Sequence, residues 1–158
     1  MLRTGLVALG LVALLLSACA PAAEKAVEQI AGVTVEKTGQ KGESVTIKGK
    51  EGQSVTISGE APDELKGFQV PQGFALESSG SVSSGGEKVV TGSWKGKGEV
   101  KAVAEFYKKS MAGQGWKEEF SFEAGDGAQG AYTKDGQKMI INVAKAEGDI
   151  ELTVMLTK

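Results

Sequence analysis

The clearest pattern in the chain is an alternation of apolar and polar residues near its C-terminus. Apolar side chains stand at every second position there, at Ile150, Leu152, Val154 and Leu156. Because successive side chains of a strand point to opposite faces, this pattern predicts a half-buried antiparallel strand. Shorter alternations predict further strands at residues 88–94, 116–123, 130–134 and 138–144, with a hairpin turn at Asp135-Gly136 between the last two.

A different period, typical of a helix, covers residues 99–112. Its larger apolar residues recur every three or four positions and form one stripe: Val100, Val103, Tyr107 and Met111. We therefore predict an α+β domain over residues 61–158, in which one helix packs across an antiparallel sheet in the order β-α-β-β-β. Within this domain, the serine- and glycine-rich residues 78–86 are predicted to form a mobile loop.

A short β-strand repeat region precedes this domain, at residues 33–60. The octapeptide GESVTIKG at 42–49 recurs ten residues later, at 52–59, as GQSVTISG. Each copy alternates β-branched apolar residues with polar ones, so the repeat predicts a small β-meander or ladder. Such strands are marginally stable alone and need a partner surface. That surface is either the main domain and the other copies, or a partner chain that pairs with a free strand edge.

Composition narrows the functions that the chain can perform. The 158 residues contain no histidine, a single cysteine at Cys19 and a single arginine at Arg3. The lack of histidine removes the usual catalytic triads and zinc sites, so we expect a non-enzymatic protein without a metal or cofactor. A net charge of −2 with almost no arginine argues against nucleic acid as a partner.

The N-terminus has the pattern of a secretory signal peptide. A positive charge at Arg3 precedes an apolar run over residues 6–16, and the small residues Ser17 and Ala18 follow it. The run is too short to span a bilayer, which needs about 20 apolar residues. Residues 16–19, Leu-Ser-Ala-Cys, resemble the lipobox of bacterial lipoprotein precursors.

The lipobox resemblance implies a lipid anchor in the bacterial cell envelope. It implies that residues 1–18 are a lipoprotein signal peptide, that cleavage falls between Ala18 and Cys19, and that Cys19 is lipidated. We interpret residues 19–32 as a tether to the membrane, which is bound through acyl chains such as palmitate. If the host has two membranes, the implied location is the outer membrane, with the domain in the periplasm. Otherwise it is the outer face of the cytoplasmic membrane.

A second resemblance lies at the end of the predicted helix. Residues 106–116, FYKKSMAGQGW, are similar to a segment of small domains in uncharacterised bacterial lipoproteins. In those domains an aromatic-Tyr pair and a Gly-Trp pair bracket the end of a helix. The resemblance covers roughly residues 65–158, implies a compact α+β domain and implies no catalytic residue.

Two functions fit these observations. The first is a membrane-anchored protein-interaction or structural module with an envelope protein as its partner. The alternative is a module that binds an apolar small molecule or lipid between helix and sheet, in a cavity lined by Val103, Tyr107, Phe120 and Val154. The competing interpretation of this space is a packed seam without a cavity. The seam would be filled by the aromatic residues Trp94, Tyr107, Trp116, Phe120 and Phe122.

Overall fold

The computed structural model describes residues 33–38, 44–49 and 52–158. The predicted signal peptide, the tether, the cleavage site at Ala18 and the lipidation site at Cys19 lie outside the described residues. Within the described ranges the chain forms nine strands and one α-helix, α1, at Val100–Gly113. The strands are β1 Thr34–Thr38, β2 Ser44–Lys48, β3 Ser54–Ser58, β4 Ala75–Ser84, β5 Glu87–Gly96, β6 Lys117–Ala124, β7 Gly127–Lys134, β8 Gln137–Ala146 and β9 Asp149–Thr157.

These strands form one antiparallel sheet in the order β1-β2-β3-β4-β5-β9-β8-β7-β6. The chain leaves the middle of the sheet at the end of β5, and α1 carries it to the β6 edge. The helix packs on β6, β7 and β8. The predicted α+β class, with one helix against an antiparallel sheet, is therefore confirmed. The order of elements differs from β-α-β-β-β, because within residues 61–158 two strands precede the helix and four follow it.

The prediction of a mobile loop at residues 78–86 was wrong, because most of this stretch belongs to β4. The strand lies between β3 and β5. β5 pairs with it from Ala75 to Ser84, and β3 pairs with it from Ser79 to Ser83. This pairing on two sides outweighs the weak strand propensity of serine and glycine. The chain turns only at Gly85 and Gly86, whose φ angles of 60° and 88° suit a tight hairpin.

The two copies of the repeat form adjacent strands, as the alternation predicts. β2 and β3 pair with Val45 opposite Ile57 and Ile47 opposite Val55. β3 then pairs with β4, so the repeat extends the sheet of the main domain. Of the two partner surfaces considered above, the repeat therefore uses the main domain.

The pairing defines two faces of the sheet, since cross-strand partners share a face. The helix-side face, which α1 covers, includes Val90, Ile141 and Val154, each no more than 2% exposed. The outer face is the opposite one, and it includes the neighbouring residues Ile140 and Met155. The stripe of apolar residues predicted for the helix is confirmed, because Val100, Val103, Tyr107 and Met111 are all buried.

Residues 62–74 add to the cover of the helix-side face beside α1. A short 3₁₀ turn, Asp63–Leu65, places the side chain of Leu65 in the core. Phe68 then stacks on Tyr107, with the ring centroids 5.1 Å apart. Gly92 on β5 makes this packing possible, because a Cβ there would lie 2.4 Å from the ring of Trp94.

A β-bulge in β6 changes the face that its aromatic residues occupy. Glu118 pairs with Tyr132, but Phe120 pairs with Ala131, so Glu119 is the extra residue. The side chain of Glu119 accepts hydrogen bonds from the Thr133 hydroxyl at 3.0 Å and from Lys117 at 3.1 Å. These bonds hold the bulge in place.

Because of the bulge, the predicted packed seam was wrong for two of its aromatic residues. Strict alternation from Trp116 places Phe120 and Phe122 on the helix-side face, but the extra residue moves both to the outer face. Phe120 is 53% exposed and Phe122 is 59% exposed. Trp94 and Tyr107 are buried in the seam as predicted, and Trp116 packs against the same core.

Candidate functional site in a cleft between helix and sheet

A cleft of about 430 Å³ lies between α1 and the β6 side of the sheet. We call this space the cleft. Its floor is mostly apolar and consists of Ala128, Gly130, Tyr132, Ile141 and Val143 from β7 and β8, with the polar Gln129 beside them. One wall is the helix, through Ala104, Glu105, Tyr107 and Lys108, and the other is residues 121–123 of β6. The volume falls in the range of about 300–1,000 Å³ that is typical of small-molecule sites.

The cleft exists because the facing positions of helix and sheet carry small residues. Ala104 on the helix and Ala128 on β7 leave space where larger side chains would close the seam. Gly130 has a more specific role, because the ring of Tyr132 lies across it. A Cβ at position 130 would lie 2.6 Å from both the ring and the hydroxyl oxygen of Tyr132. Gly130 therefore lets this tyrosine lie flat along the floor.

Tyr107 is held rigidly at the base of the helix wall. Its hydroxyl donates a hydrogen bond to the backbone carbonyl of Gln69 at 3.0 Å. Its ring stacks on that of Phe68 and meets the ring of Phe106 edge to face. Burial raises the pKa of the Tyr107 phenol far above its usual value. The hydroxyl therefore stays protonated and keeps this bond at physiological pH.

The walls of the cleft carry more negative than positive charge. Glu105 and Glu123 line it together with one cation, Lys108. The ammonium of Lys108 lies 3.8 Å from the carboxylate of Glu118, across the gap between helix and β6. Burial raises the pKa of the Tyr132 phenol, and the carboxylate of Glu118 raises it further. Tyr132 therefore adds no charge to the floor.

The structure brings only part of the predicted lining to this cleft. Tyr107 lines it, at the helix wall. Val103 and Val154 lie in the packed core, at 5% and 0% exposure. Phe120 lies on the outer face of the sheet because of the bulge at Glu119.

Several lining residues were not predicted. Ala104, Ala128 and Gly130 shape the cleft by their small size, which alternation alone does not reveal. A signal was available for Gly130, because an isolated glycine within a strand indicates a close approach of another group.

Two lysines in the glycine-rich stretch before the helix interact with a carboxylate of the same chain. The carboxylate of Asp149 forms an ion pair with Lys97 and lies 4.0 Å from the ammonium of Lys95. These lysines hold the pKa of Asp149 below its usual value, mainly through the hydrogen bond from Lys97. The two cations are thus already neutralised in part by a side chain at the start of β9.

Residues 33–38, 44–49 and 52–158 contain no group of three or more potential metal-ligating side chains arranged to hold an ion. No helix in these ranges combines the length and the apolar character needed to cross a membrane.

Comparison with known proteins gives one match. A family model described as START domain-like matches residues 76–149. The matched region contains nearly all of β4, the strands β5 to β8 and α1, so it includes every wall of the cleft. No curated protein matches the chain, and no solved structure matches it.

Proposed function

We propose that this chain is a binding module that holds a small amphipathic molecule in the cleft. The observation that carries the proposal is the cleft itself, an open space of about 430 Å³ with a mostly apolar floor and charged residues on its walls. Such a combination suits a ligand with an apolar body and one polar end. Of the two functions suggested by the sequence, the cleft favours the apolar small-molecule or lipid-binding module.

The charges of the cleft indicate the polar end of the ligand. Glu105 and Glu123 are both acidic, and the one lining cation, Lys108, lies close to Glu118. Two carboxylates would repel an anionic headgroup, and the one lysine that could offset them is shared with Glu118. A cationic headgroup would be attracted to the same carboxylates. We therefore assign the ligand a neutral or cationic polar end.

The family match supports a binding function. The START domain-like model covers the elements that form the cleft, and it stops at the beginning of β9, which contributes no lining residue. This agreement between the matched region and the cleft supports ligand binding as the role of this part of the chain.

The location is a second part of the proposal, and it rests on the sequence. We propose that acylated Cys19 anchors the chain to a bacterial envelope membrane, because residues 16–19 match a lipobox after an apolar run. The anchor would keep the cleft close to a membrane, where amphipathic molecules are concentrated. A binding module without chemistry of its own also suits a chain that lacks histidine.

The cleft can be tested by photolabelling the full-length protein in its own membranes. The probes are two alkyl diazirines of equal chain length, one with a quaternary ammonium end and one with a carboxylate end. We expect the ammonium probe to label peptides from residues 100–113 and 121–132, and to do so at least five times more than the carboxylate probe. Mass spectrometry of the digested protein locates the adducts.

A matched pair of helix variants controls this experiment. Ala104→Phe places a ring in the cleft and should remove most of the labelling, whereas Ala102→Phe adds the same ring on the exposed side of the helix. Equal labelling of the two variants, or adducts confined to the outer face, would show that the cleft is not the binding site. A stronger signal from the carboxylate probe would contradict the assigned headgroup.

The anchor has a separate test. In Cys19→Ala the acyl acceptor is lost, so the chain should remain uncleaved or leave the membrane fraction during a carbonate wash. Its domain should keep the melting temperature of the wild type. Normal cleavage and retention in the washed membranes would overturn the anchor without affecting the cleft.

A further inference from the structure

The outer face of the sheet collects the exposed large hydrophobic residues of the described chain. The helix-side face is covered by α1 and residues 62–74, but the large hydrophobic side chains that remain exposed share the opposite face. They are Ile57, Val82, Phe120, Phe122 and Met155. Exposed apolar side chains are unremarkable when scattered singly, but their collection on one face marks an interaction surface.

A continuous row of uncharged residues crosses the centre of this face. Each member is the cross-strand partner of the next, from β2 to β6: Val45, Ile57, Gly80, Thr91, Met155, Ile140, Ala131 and Phe120. The rows on either side add Ile47, Val55, Val82 and Val89 at one end and Phe122 at the other. The rest of the flanking rows is polar, with Thr157, Lys138, Thr133 and Lys117 on one side and Ser78, Ser93, Thr153, Asn142 and Gln129 on the other. The apolar part of the face is therefore the central row together with its β2–β5 end.

The area of this face matches half of a stable protein interface. Strands about 4.8 Å apart and rows about 6.8 Å apart give a patch of about 34 Å by 20 Å, or roughly 700 Å². A standard interface buries about 800 Å² on each partner.

The outer face has a hollow on one side of Thr91 and a protruding side chain on the other. A hollow of about 220 Å³ lies at the β3–β5 end of the row and is lined by Ile57, Gly80, Val82 and Thr91, among others. The lack of a side chain at Gly80 contributes to it, because a Cβ there would lie 2.8 Å from the carbonyl oxygen of Thr56. On the other side of Thr91, the exposed side chain of Met155 stands out from β9.

We infer that the outer face binds a second copy of this chain, with the two sheets packed face to face. A two-fold axis parallel to β5 at Thr91 places Met155 of each copy over the Gly80 hollow of the other. Ile57 then faces Ile140, so apolar residues meet apolar residues along the row. Facing sheets pack about 10 Å apart, as in β-sandwiches.

Charge is compatible with this arrangement. The central row contains no charged residue from Val45 to Phe120. The lysines of a flanking row, Lys117 and Lys138, both lie at the β6–β8 end. The two-fold axis places Lys138 opposite Val55, and Phe120 opposite Lys37 of β1, so no lysine of these rows faces another lysine. The tether at residues 19–32 is a poorer occupant, because Val27 and Ile30 are its only larger apolar residues.

The arrangement is tested by cysteine crosslinking of the full-length protein in its own membranes. Thr91→Cys places a thiol on the proposed axis, where it faces the same thiol of the second copy. Lys101→Cys, on the exposed side of the helix, is the control, and native Cys19 is common to both variants. Facing sheets about 10 Å apart keep these two thiols beyond the reach of a direct disulfide, so a short bismaleimide links them. We expect at least ten times more covalent dimer from Thr91→Cys than from Lys101→Cys on a denaturing gel.

Second substitutions show whether the crosslink depends on the face. Met155→Lys in the Thr91→Cys chain should remove the dimer, and Ala112→Lys, on the exposed part of the helix, should keep it. Equal crosslinking of the two cysteine variants would overturn the inference. A crosslink from Thr91→Cys to a different protein, or quenching of a dye on that cysteine by spin-labelled lipid, would assign the face to another occupant. None of these outcomes depends on the ligand of the cleft.

Discussion

The helix-side and outer faces of the sheet are built from the same strands, but only the first is covered within the chain. Neighbouring residues show the difference. Ile141 is 2% exposed beneath the helix, whereas Ile140 lies on the outer face and is only half-buried. Val89 and Val90 differ in the same way on β5. Consecutive apolar residues are typical of strands buried on both faces, which is consistent with the proposed second copy on the outer face.

The repeat region differs from the other strands because its apolar residues lie on the outer face instead of the helix-side face. Val55 and Ile57 belong to the outer face, and the threonines Thr46 and Thr56 lie on the helix side, with their hydroxyl oxygens 3.0 Å apart. In β9, by contrast, Leu152 and Val154 are buried on the helix side. The repeat therefore extends the outer face rather than the core.

The largest expected effect comes from two adjacent isoleucines on β8. Ile141→Ala removes a fully buried side chain beneath the helix and should lower the free energy of unfolding by about 2–5 kcal/mol. Ile140→Ala removes the same atoms from the outer face and should cost less than half as much. Urea unfolding at one protein concentration compares the two variants. Equal losses would mean that the two faces are equally packed.

A glycine pair tests how closely the helix-side cover packs. Gly92→Ala introduces a Cβ that would lie 2.4 Å from Trp94 and 3.1 Å from Leu65, so it should destabilise the protein by about 1–3 kcal/mol. Gly67→Ala, where no other atom lies within 4 Å, should change stability by less than about 0.5 kcal/mol. Thermal unfolding measures both. A neutral Gly92→Ala would show that the layer formed by residues 62–74 is loose.

The smallest effect is a pH dependence of the same cover. The ammonium of Lys88 on β5 bonds to the carboxylate of Glu64 and holds its pKa below the usual 4.5. Since the folded pKa is the lower one, the stabilisation is complete above about pH 4.5 and is lost as the pH falls through the folded value. The melting temperature should therefore fall less between pH 5 and pH 3 in Glu64→Gln and in Lys88→Met than in the wild type. An unchanged slope in both variants would contradict this role.

The sequence predicts the regular elements better than the faces they use. The helix was predicted at residues 99–112 and lies at Val100–Gly113, because a 3.6-residue period and glycines at 113 and 115 define it. The strand at the C-terminus was predicted equally well. The bulge at Glu119 was not, because one inserted residue leaves the apparent alternation of β6 intact. That single residue decides the face of Phe120 and Phe122.

The cleft was harder to predict than the core around it. Tyr107 was assigned to the cavity from its place in the helix stripe, and the structure places it on the wall of the cleft. The volume itself depends on small residues at facing positions, Ala104, Ala128 and Gly130. Those positions face each other only after the chain has folded, so alternation along a single strand or helix does not reveal them.

The most direct test of the central claim, that the cleft holds a small amphipathic molecule, is native mass spectrometry of the full-length protein released gently from its own membranes. We expect an acylated Cys19 and one bound small molecule per chain in the wild type and in Ala102→Phe, and no bound molecule in Ala104→Phe. The spectrum also reports whether the chain is a dimer. A wild-type protein without a bound molecule, or one whose bound molecule persists in Ala104→Phe, would contradict the claim.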